Sequence, residues 1–244
     1  MQFKEMYTVK TRELGMTNEI TNYGILALLE DIAGMHSDSI GYGVKDIERN
    51  KKSWIIMDWK LKVFKRPGYG ERLLIKTWTR TMGKGKNGYF SYRDFEIIDN
   101  EGNQVAIATS KWILYDIERK KISRISSEIV ELYKTEQNHI FEDEEFEKLK
   151  EPQKYEMVTD YVVRRSDIDV NKHVHNLNYL NIAYEALPEE VYRNAECMNV
   201  LIEYKHQIKF GEKVKCYYSN ENGKHIVAIK SEDDSVVHAI IELF

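Results

Sequence analysis

Between Ser166 and Tyr179 the chain reads SDIDVNKHVHNLNY, which gathers Asp167, Asp169, Asn171, His173, His175, Asn176 and Asn178 into one short stretch. Such a run can serve as a metal loop, as the polar turn before a helix, or as a hydrolytic site. Counted from Asp167, D-x-D-x-N matches the opening of an EF-hand calcium loop. Its sixth position is then Lys172, where the sharp turn needs Gly, and its twelfth is Asn178, where a bidentate Glu belongs. The preceding residues read as a strand rather than a helix, so the metal reading fails on all three points. Capping explains part of the polarity, because Asp and Asn side chains satisfy free N–H groups at helix starts. Asp167 and Asn176 suffice for that. Asp169, Asn171 and His173 remain, a carboxylate, an amide and an imidazole. Those groups orient a carbonyl, activate a water and move a proton. A helix N-terminus close behind would add backbone donors for an oxyanion.

The elements around this run must position it. The strand-like YEMVTDYVVRR precedes it and a helix through Leu177 to Leu187 follows. Then come the strands VLIEYKHQIKF, EKVKCYYSN, HIVAIK and SVVHAIIELF, with turns at NENGK and SEDDS. The first half has the same order. A strand around Met6 to Arg12 leads to a helix whose buried face is Ile25, Leu28, Leu29, Ile32, Met35 and His36. WIIMDWKLKVF, RLLIKTWTRTM, GYFSYRDFEII and QVAIATSKWILY follow as strands, with turn chemistry at PGYG and DNEGN. At an offset of about 154 residues, Ile20-Thr21-Asn22 falls on Val174-His175-Asn176, and Leu26 falls on Leu180. Asp169, Asn171 and His173 then face Gly15, Thr17 and Glu19, so the first copy lacks the polar trio. Each half is a helix with an antiparallel sheet, an α+β class. Between them TEQNHIFEDEEFEKLKEPQKY is acidic, poor in apolar residues and broken by Pro152, which marks a linker with room for a short helix. The expected organisation is a first domain over residues 1–134, a linker over 135–154 and a second domain over 155–244.

Composition narrows the function classes. Of 244 residues, 42% are hydrophobic and 31% charged, which suits a globular chain with an ample core. The formal charge of −4 gives no global basicity for nucleic acid. The opening MQFKEMYTVK has no apolar signal region, and no uninterrupted apolar run reaches the ~18 residues of a membrane span. A cytoplasmic location is expected. Cys197 and Cys216 show no C-x-x-C spacing and are expected in the core. His36, Ser37 and Asp38 hold the residue types of a triad, but adjacency along the chain does not build one; a polar helix end is expected there. Lys84 and Lys86, or Arg119, Lys120, Lys121 and Arg124, are candidate contacts for an acidic partner, with solvated turns as the plainer reading.

The pattern D-x-N-x-H-V-x-N-x-x-Y, here Asp169 through Tyr179, resembles the active-site segment of the plant and bacterial acyl-acyl carrier protein thioesterases. The likeness extends over the tandem halves, the early helix, the acidic linker and the segment IEYKHQIKFGEKV. It implies a tandem double hotdog fold, each half a long central helix wrapped by an antiparallel β-sheet. It also implies hydrolysis of the thioester of fatty acyl-acyl carrier protein, which ends fatty acid elongation. The partner would be the carrier protein with its phosphopantetheine-linked acyl chain. The chain would lie largely against the first hotdog, with the chemistry in the second. Asp169, Asn171 and His173 take the family's catalytic positions. Plant members carry a Glu-Cys pair in the strand after the helix, whereas Gln207 and Ile208 stand here. Ile208 cannot attack a carbonyl, which removes a Cys-His mechanism. Gln207 can order a water through its amide. Asp169 would act as general base or as nucleophile, Asn171 would position the carbonyl or the pantetheine amide, and His173 would orient the carboxylate or protonate the leaving thiol. No metal or cofactor is required. An acyl-coenzyme A thioesterase and a non-catalytic acyl or carrier-protein binding module stay open as alternatives, as does further homodimerisation.

Overall fold

The structure, a computed structural model, describes residues 1–84, 88–142, 146–193 and 199–244. They form two compact units, Met1–Glu145 and Phe146–Phe244.

The first unit runs β1 (Phe3–Thr8), α1 (Asn22–Ser39), α2 (Ile47–Asn50), β2 (Lys52–Val63), β3 (Arg72–Lys84), β4 (Phe90–Asp99), β5 (Gln104–Asp116), β6 (Lys121–Ser123) and α3 (Ser127–Tyr133). Antiparallel pairing orders its main strands β1-β3-β4-β5-β2, with β6 on β5. The first strand starts and ends earlier than the sequence suggests, because Glu13 folds back to accept the Lys10 N–H at 2.7 Å and closes a 3-10 turn over Thr11–Glu13. Helix α1 begins where the Thr21 hydroxyl accepts the Gly24 N–H at 2.9 Å. Ile25, Leu28, Leu29, Ile32 and His36 are buried as their spacing predicts. Met35 is the exception at 44% exposure, because it lies at the edge of that stripe. The DNEGN turn is held by Asp99, whose Oδ1 accepts the Glu101 and Asn103 N–H groups, both at 2.9 Å. Those donors hold its carboxyl down at about 2.

The acidic segment after α3 contains no helix among its described residues. Its early part docks on the first unit instead. Trp78 Nε1 donates to the Asn138 carbonyl at 2.8 Å, the Ile140 N–H donates to Asp94 Oδ2 at 3.1 Å, and Lys60 lies over the Phe141 ring.

The second unit runs β7 (Met157–Val162), α4 (Asn178–Tyr184), α5 (Glu189–Arg193), β8 (Asn199–Tyr204), β9 (Lys213–Glu221), β10 (Lys224–Ser231) and β11 (Val237–Leu243). Its strands pair antiparallel in the order β7-β9-β10-β11-β8, the same path as in the first unit. The helix expected through Leu187 is α-helical only to Tyr184. Ala186 and Leu187 donate three residues back, to Ala183 and Tyr184, and Pro188 then stops the chain from continuing. Leu180, Ile182, Ala183 and Ala186 still fill the core.

Candidate active site

The polar run starts with a structural residue. Asp167 is buried and accepts the Arg164 N–H at 2.7 Å and the Tyr161 hydroxyl at 2.8 Å. Its own carbonyl accepts the His175 N–H at 2.8 Å and Asn178 Nδ2 at 3.1 Å. Asp167 therefore ties β7 to α4, but its carboxylate closes the 3-10 turn over Arg165–Asp167, and α4 starts without a side-chain cap from either Asp167 or Asn176.

Beyond Asp167 the chain makes a narrow ribbon. Ile168 bridges Val174, and His173 bridges Lys209, both antiparallel. The Asp169 N–H donates to the His173 carbonyl at 2.9 Å, and the Val174 N–H donates to the Ile208 carbonyl at 2.8 Å. Lys172, at φ +65°, makes the tight reversal between the first two strands. Residues paired across a ribbon share a face, and neighbours along a strand alternate. Val174 and Ile208 accordingly point into the core, both buried. Asp169, His173 and Lys209 fall on the opposite face. Gln207 lies exposed two residues before Lys209.

Within that face Asp169 and Asn171 are joined directly. Asp169 Oδ1 accepts the Asn171 N–H at 2.8 Å and the His173 N–H at 3.4 Å, and Oδ2 accepts Asn171 Nδ2 at 3.1 Å. The amide nitrogen expected to hold a substrate group thus holds the carboxylate. The His173 imidazole and the Gln207 amide have no hydrogen bond among the described residues, which leaves both available to an incoming molecule. The start of α4 does not supply oxyanion donors. The Asn178, Tyr179 and Leu180 N–H groups are taken by the carbonyls of His175, Asn176 and Leu177.

Two residues to which the sequence reading gave no role hold this geometry. The Tyr179 hydroxyl accepts the Ile208 N–H at 3.0 Å and donates to the His206 carbonyl at 3.3 Å, which fixes the segment around Gln207 to α4. Burial pushes the Tyr179 phenol well up, so it stays protonated. Lys209 is the second, set beside His173 by the bridge. Its place was unreadable because the pairing of residues 173 and 209 spans a helix and a strand.

The other candidates separate cleanly. Cys216 is buried on β9 and its thiol is pushed up to about 12 by burial, an unreactive state at neutral pH. Cys197, Lys86 and the Lys84 side chain lie outside the described residues. Ser37 accepts the Tyr133 hydroxyl at 2.9 Å and Asp38 pairs with Lys45, so neither forms a triad with His36. Arg119 pairs with Asp116 and Lys120 occupies a left-handed turn, as a solvated turn would. Among the described residues no group of three His, Cys, Asp or Glu is placed to hold a metal ion. No helix among them is long and apolar enough to cross a membrane.

Comparison with known proteins bears on the whole chain. Residues 1–133 match the acyl-ACP thioesterase N-terminal domain and residues 150–242 match the acyl-ACP thioesterase C-terminal domain. Oleoyl-acyl carrier protein thioesterase 1, chloroplastic, of Arabidopsis thaliana is 24% identical over 224 residues, covering 85% of this chain and 60% of that protein. The Coriandrum sativum oleoyl-acyl carrier protein thioesterase is 23% identical over 266 residues, 97% of this chain and 71% of its own length. The chain thus spans about three fifths of the Arabidopsis protein. Among solved structures, an acyl-ACP thioesterase from Bacteroides thetaiotaomicron superposes with a TM-score of 0.86 at 18% identity, over 100% of this chain and 97% of that one. The 12:0-ACP thioesterase from Umbellularia californica gives 0.85 at 17% identity, over 99% and 96%. Those likenesses show a shared fold, the tandem of two sheet-and-helix hotdog units. With both domain matches in chain order, the protein belongs to the acyl-ACP thioesterase family.

Proposed function

We propose that this chain hydrolyses the thioester of fatty acyl-acyl carrier protein, releasing free fatty acid and the carrier's phosphopantetheine thiol. One observation carries the reading: the ribbon sets Asp169, Asn171 and His173 on a single outward face, with the carboxylate held by Asn171. In the reaction water adds to the thioester carbon, the C–S bond breaks, and the thiolate takes up a proton. Asp169 serves as the base that takes the water proton, or as the carboxylate that attacks first and is then released by water. Asn171 keeps that carboxylate aimed by two hydrogen bonds. His173, with a free imidazole, returns a proton to the departing sulfur. Gln207 orders the attacking water through its amide.

The acyl chain is assigned to the first unit, against the α1 face that carries Ile25, Leu29 and Ile32, and the reaction to the cytoplasm. The decisive measurement is fatty acid release from matched acyl-carrier protein and acyl-coenzyme A panels, with wild type and Asp169→Asn side by side. Release from the carrier protein that is lost in Asp169→Asn supports the proposal. Faster release from coenzyme A would move the substrate class, and no release from either would leave a binding module.

A further inference from the structure

The helix-facing side of the first unit's sheet contains a polar row in an apolar interior. The register pairs Trp59 with Ser110, Ser110 with Arg93 and Arg93 with Thr79, so all four share one face. That face is the inner one, because Trp59 packs on Phe95 at 5.3 Å and Arg93 reaches His36 of α1. Trp59, Arg93, Thr79 and His36 are all buried.

Their hydrogen bonding is incomplete in one sense. Arg93 Nη1 lies 2.9 Å from His36 Nδ1 and 3.2 Å from Thr77 Oγ1, and the guanidinium sits over the Tyr133 ring. Among the described residues no carboxylate pairs with it. A guanidinium only donates, so His36 Nδ1 accepts, and the neutral ring must carry its proton on Nε2. Among the described residues that Nε2 has no acceptor, and neither has Trp59 Nε1; Thr79 Oγ1 is also without a partner there. A buried donor left unmade costs about 1–3 kcal/mol, and a buried cation without an anion costs more. Two donors, His36 Nε2 and Trp59 Nε1, thus stand unpaired beside a guanidinium that has only neutral partners. Small side chains border the row on the same inner face, at Ser91, Ser110, Thr77 and Ala108.

We infer that this row is a recognition site for an acceptor oxygen carried on the acyl chain, as a hydroxyl, an oxo group or a far-end carboxylate. Arg93 and His36 are the principal donors, and Trp59 and Thr79 flank them. The inference deepens the proposed function, since it rests on the acyl chain entering the first unit. It makes the enzyme selective for oxygen-bearing acyl groups over plain hydrocarbon ones of equal length. A site built to bond a polar group discriminates strongly against the analogue that lacks it.

Binding tests this apart from catalysis. Calorimetry on the full chain would compare methyl esters of equal length that are plain, hydroxylated, oxo-bearing or ended by a carboxylate. Ester caps keep the ordinary carboxyl from occupying the row. The expected result is that at least one oxygen-bearing ester binds about tenfold or more tighter than the plain one. That margin should collapse in Arg93→Met and in His36→Phe. Equal affinities for all four esters in wild type would overturn the inference, even if neither variant folds. A margin that survives in a folded variant would overturn it as well. Release of plain fatty acid from the carrier protein, measured alongside, reports on the proposed reaction independently.

Discussion

Two loops at equivalent places in the two units share a backbone and differ in what they carry. In the first, Leu14 bridges Ile20 and Glu19 bridges Gly68; in the second, Ile168 bridges Val174 and His173 bridges Lys209. The Gly15 N–H donates to the Glu19 carbonyl as Asp169 donates to His173, each at 2.9 Å. Asn18 at φ +61° makes the reversal that Lys172 makes at +65°. Even the support repeats, with Glu71 accepting the Gly68 N–H at 2.8 Å and Glu212 accepting that of Lys209 at 2.9 Å. Where the second loop has Asp169, Asn171 and His173, the first has Gly15, Thr17 and Glu19. The scaffold is therefore common property, and only the side chains distinguish the loop proposed to react from its counterpart. The first loop also resists conversion, since a Cβ on Gly15 would stand 3.0 Å from the Thr21 methyl.

The largest effect should come from the carboxylate. Asp169→Asn keeps an oxygen for the turn N–H groups but cannot take a proton from water, so turnover should fall by about 10²–10⁴-fold with melting temperature nearly unchanged. Asp169→Ala should lose the same activity and also about 1 kcal/mol of stability, because the Asn171 N–H loses its acceptor. Turnover within a few-fold of wild type in Asp169→Asn would make the two loops chemically equivalent and remove the assignment.

The interiors differ as well, and pH separates them. His36 in the first unit is held down to about 3 by burial and by the Arg93 charge. His238 on β11 of the second unit is lowered too, chiefly by burial, against hydrogen bonding from its surroundings. An unfolded histidine takes up its proton near pH 6.5 while these folded ones do not. Below that pH the unfolded state binds more protons, so stability is full above about 6.5 and falls as the solution is acidified. Between pH 6.5 and 5, His36 should contribute a slope of at most about 1.4 kcal/mol per pH unit. His36→Gln, which still offers Arg93 an acceptor, should flatten denaturant-derived stability over that window more than His238→Gln does. An unchanged slope in His36→Gln would show that His36 is protonated in the fold.

Much of this was legible in the residues. Alternating apolar strands, the α1 stripe and the 154-residue offset set out both units, because burial periodicity is written locally. Asp169, Asn171 and His173 stood out since seven polar side chains exceed what a helix start requires. What could not be read depends on pairing between distant segments. Lys209 meets His173 only after α4 and β8 have folded, and the Tyr179 hydroxyl finds the Ile208 backbone across the same distance. The Arg93–His36 contact joins β4 to α1, and no local pattern marks an arginine on a strand as inward-facing. Tertiary hydrogen bonds likewise hold the early part of the acidic segment, at Asn138 and Ile140, on the first unit, with Trp78 and Asp94 supplying the anchors.

A smaller loss is expected at Gln207. In the proposed reaction its exposed amide would order water and accept no proton, so Gln207→Ala should slow turnover by about tenfold at most, well short of Asp169→Asn. Loss equal to that of Asp169→Asn would assign Gln207 a direct part in the chemistry. In a Cys197→Ser background, thiol alkylation of the folded protein should spare activity in the same assay, because the Cys216 thiol is buried and protonated.

The smallest effect tests why the first loop carries Gly15 where the second carries Asp169. Gly15→Asp would place a carboxylate where it can accept the Thr17 N–H, as Asp169 does for Asn171, yet its Cβ presses on the Thr21 methyl. Crowding of that kind costs about 1–3 kcal/mol, and the new turn hydrogen bond returns about 1 of it. The single variant should therefore be less stable by about 1 kcal/mol in chemical denaturation. Thr21→Ser keeps the hydroxyl that caps α1 and removes only the methyl. Combined with Gly15→Asp, it should recover most of the loss. If Gly15→Asp alone matches wild type, the Thr21 methyl yields without cost and packing does not explain the glycine. If the double variant recovers nothing, the penalty comes from charge at that loop rather than from contact.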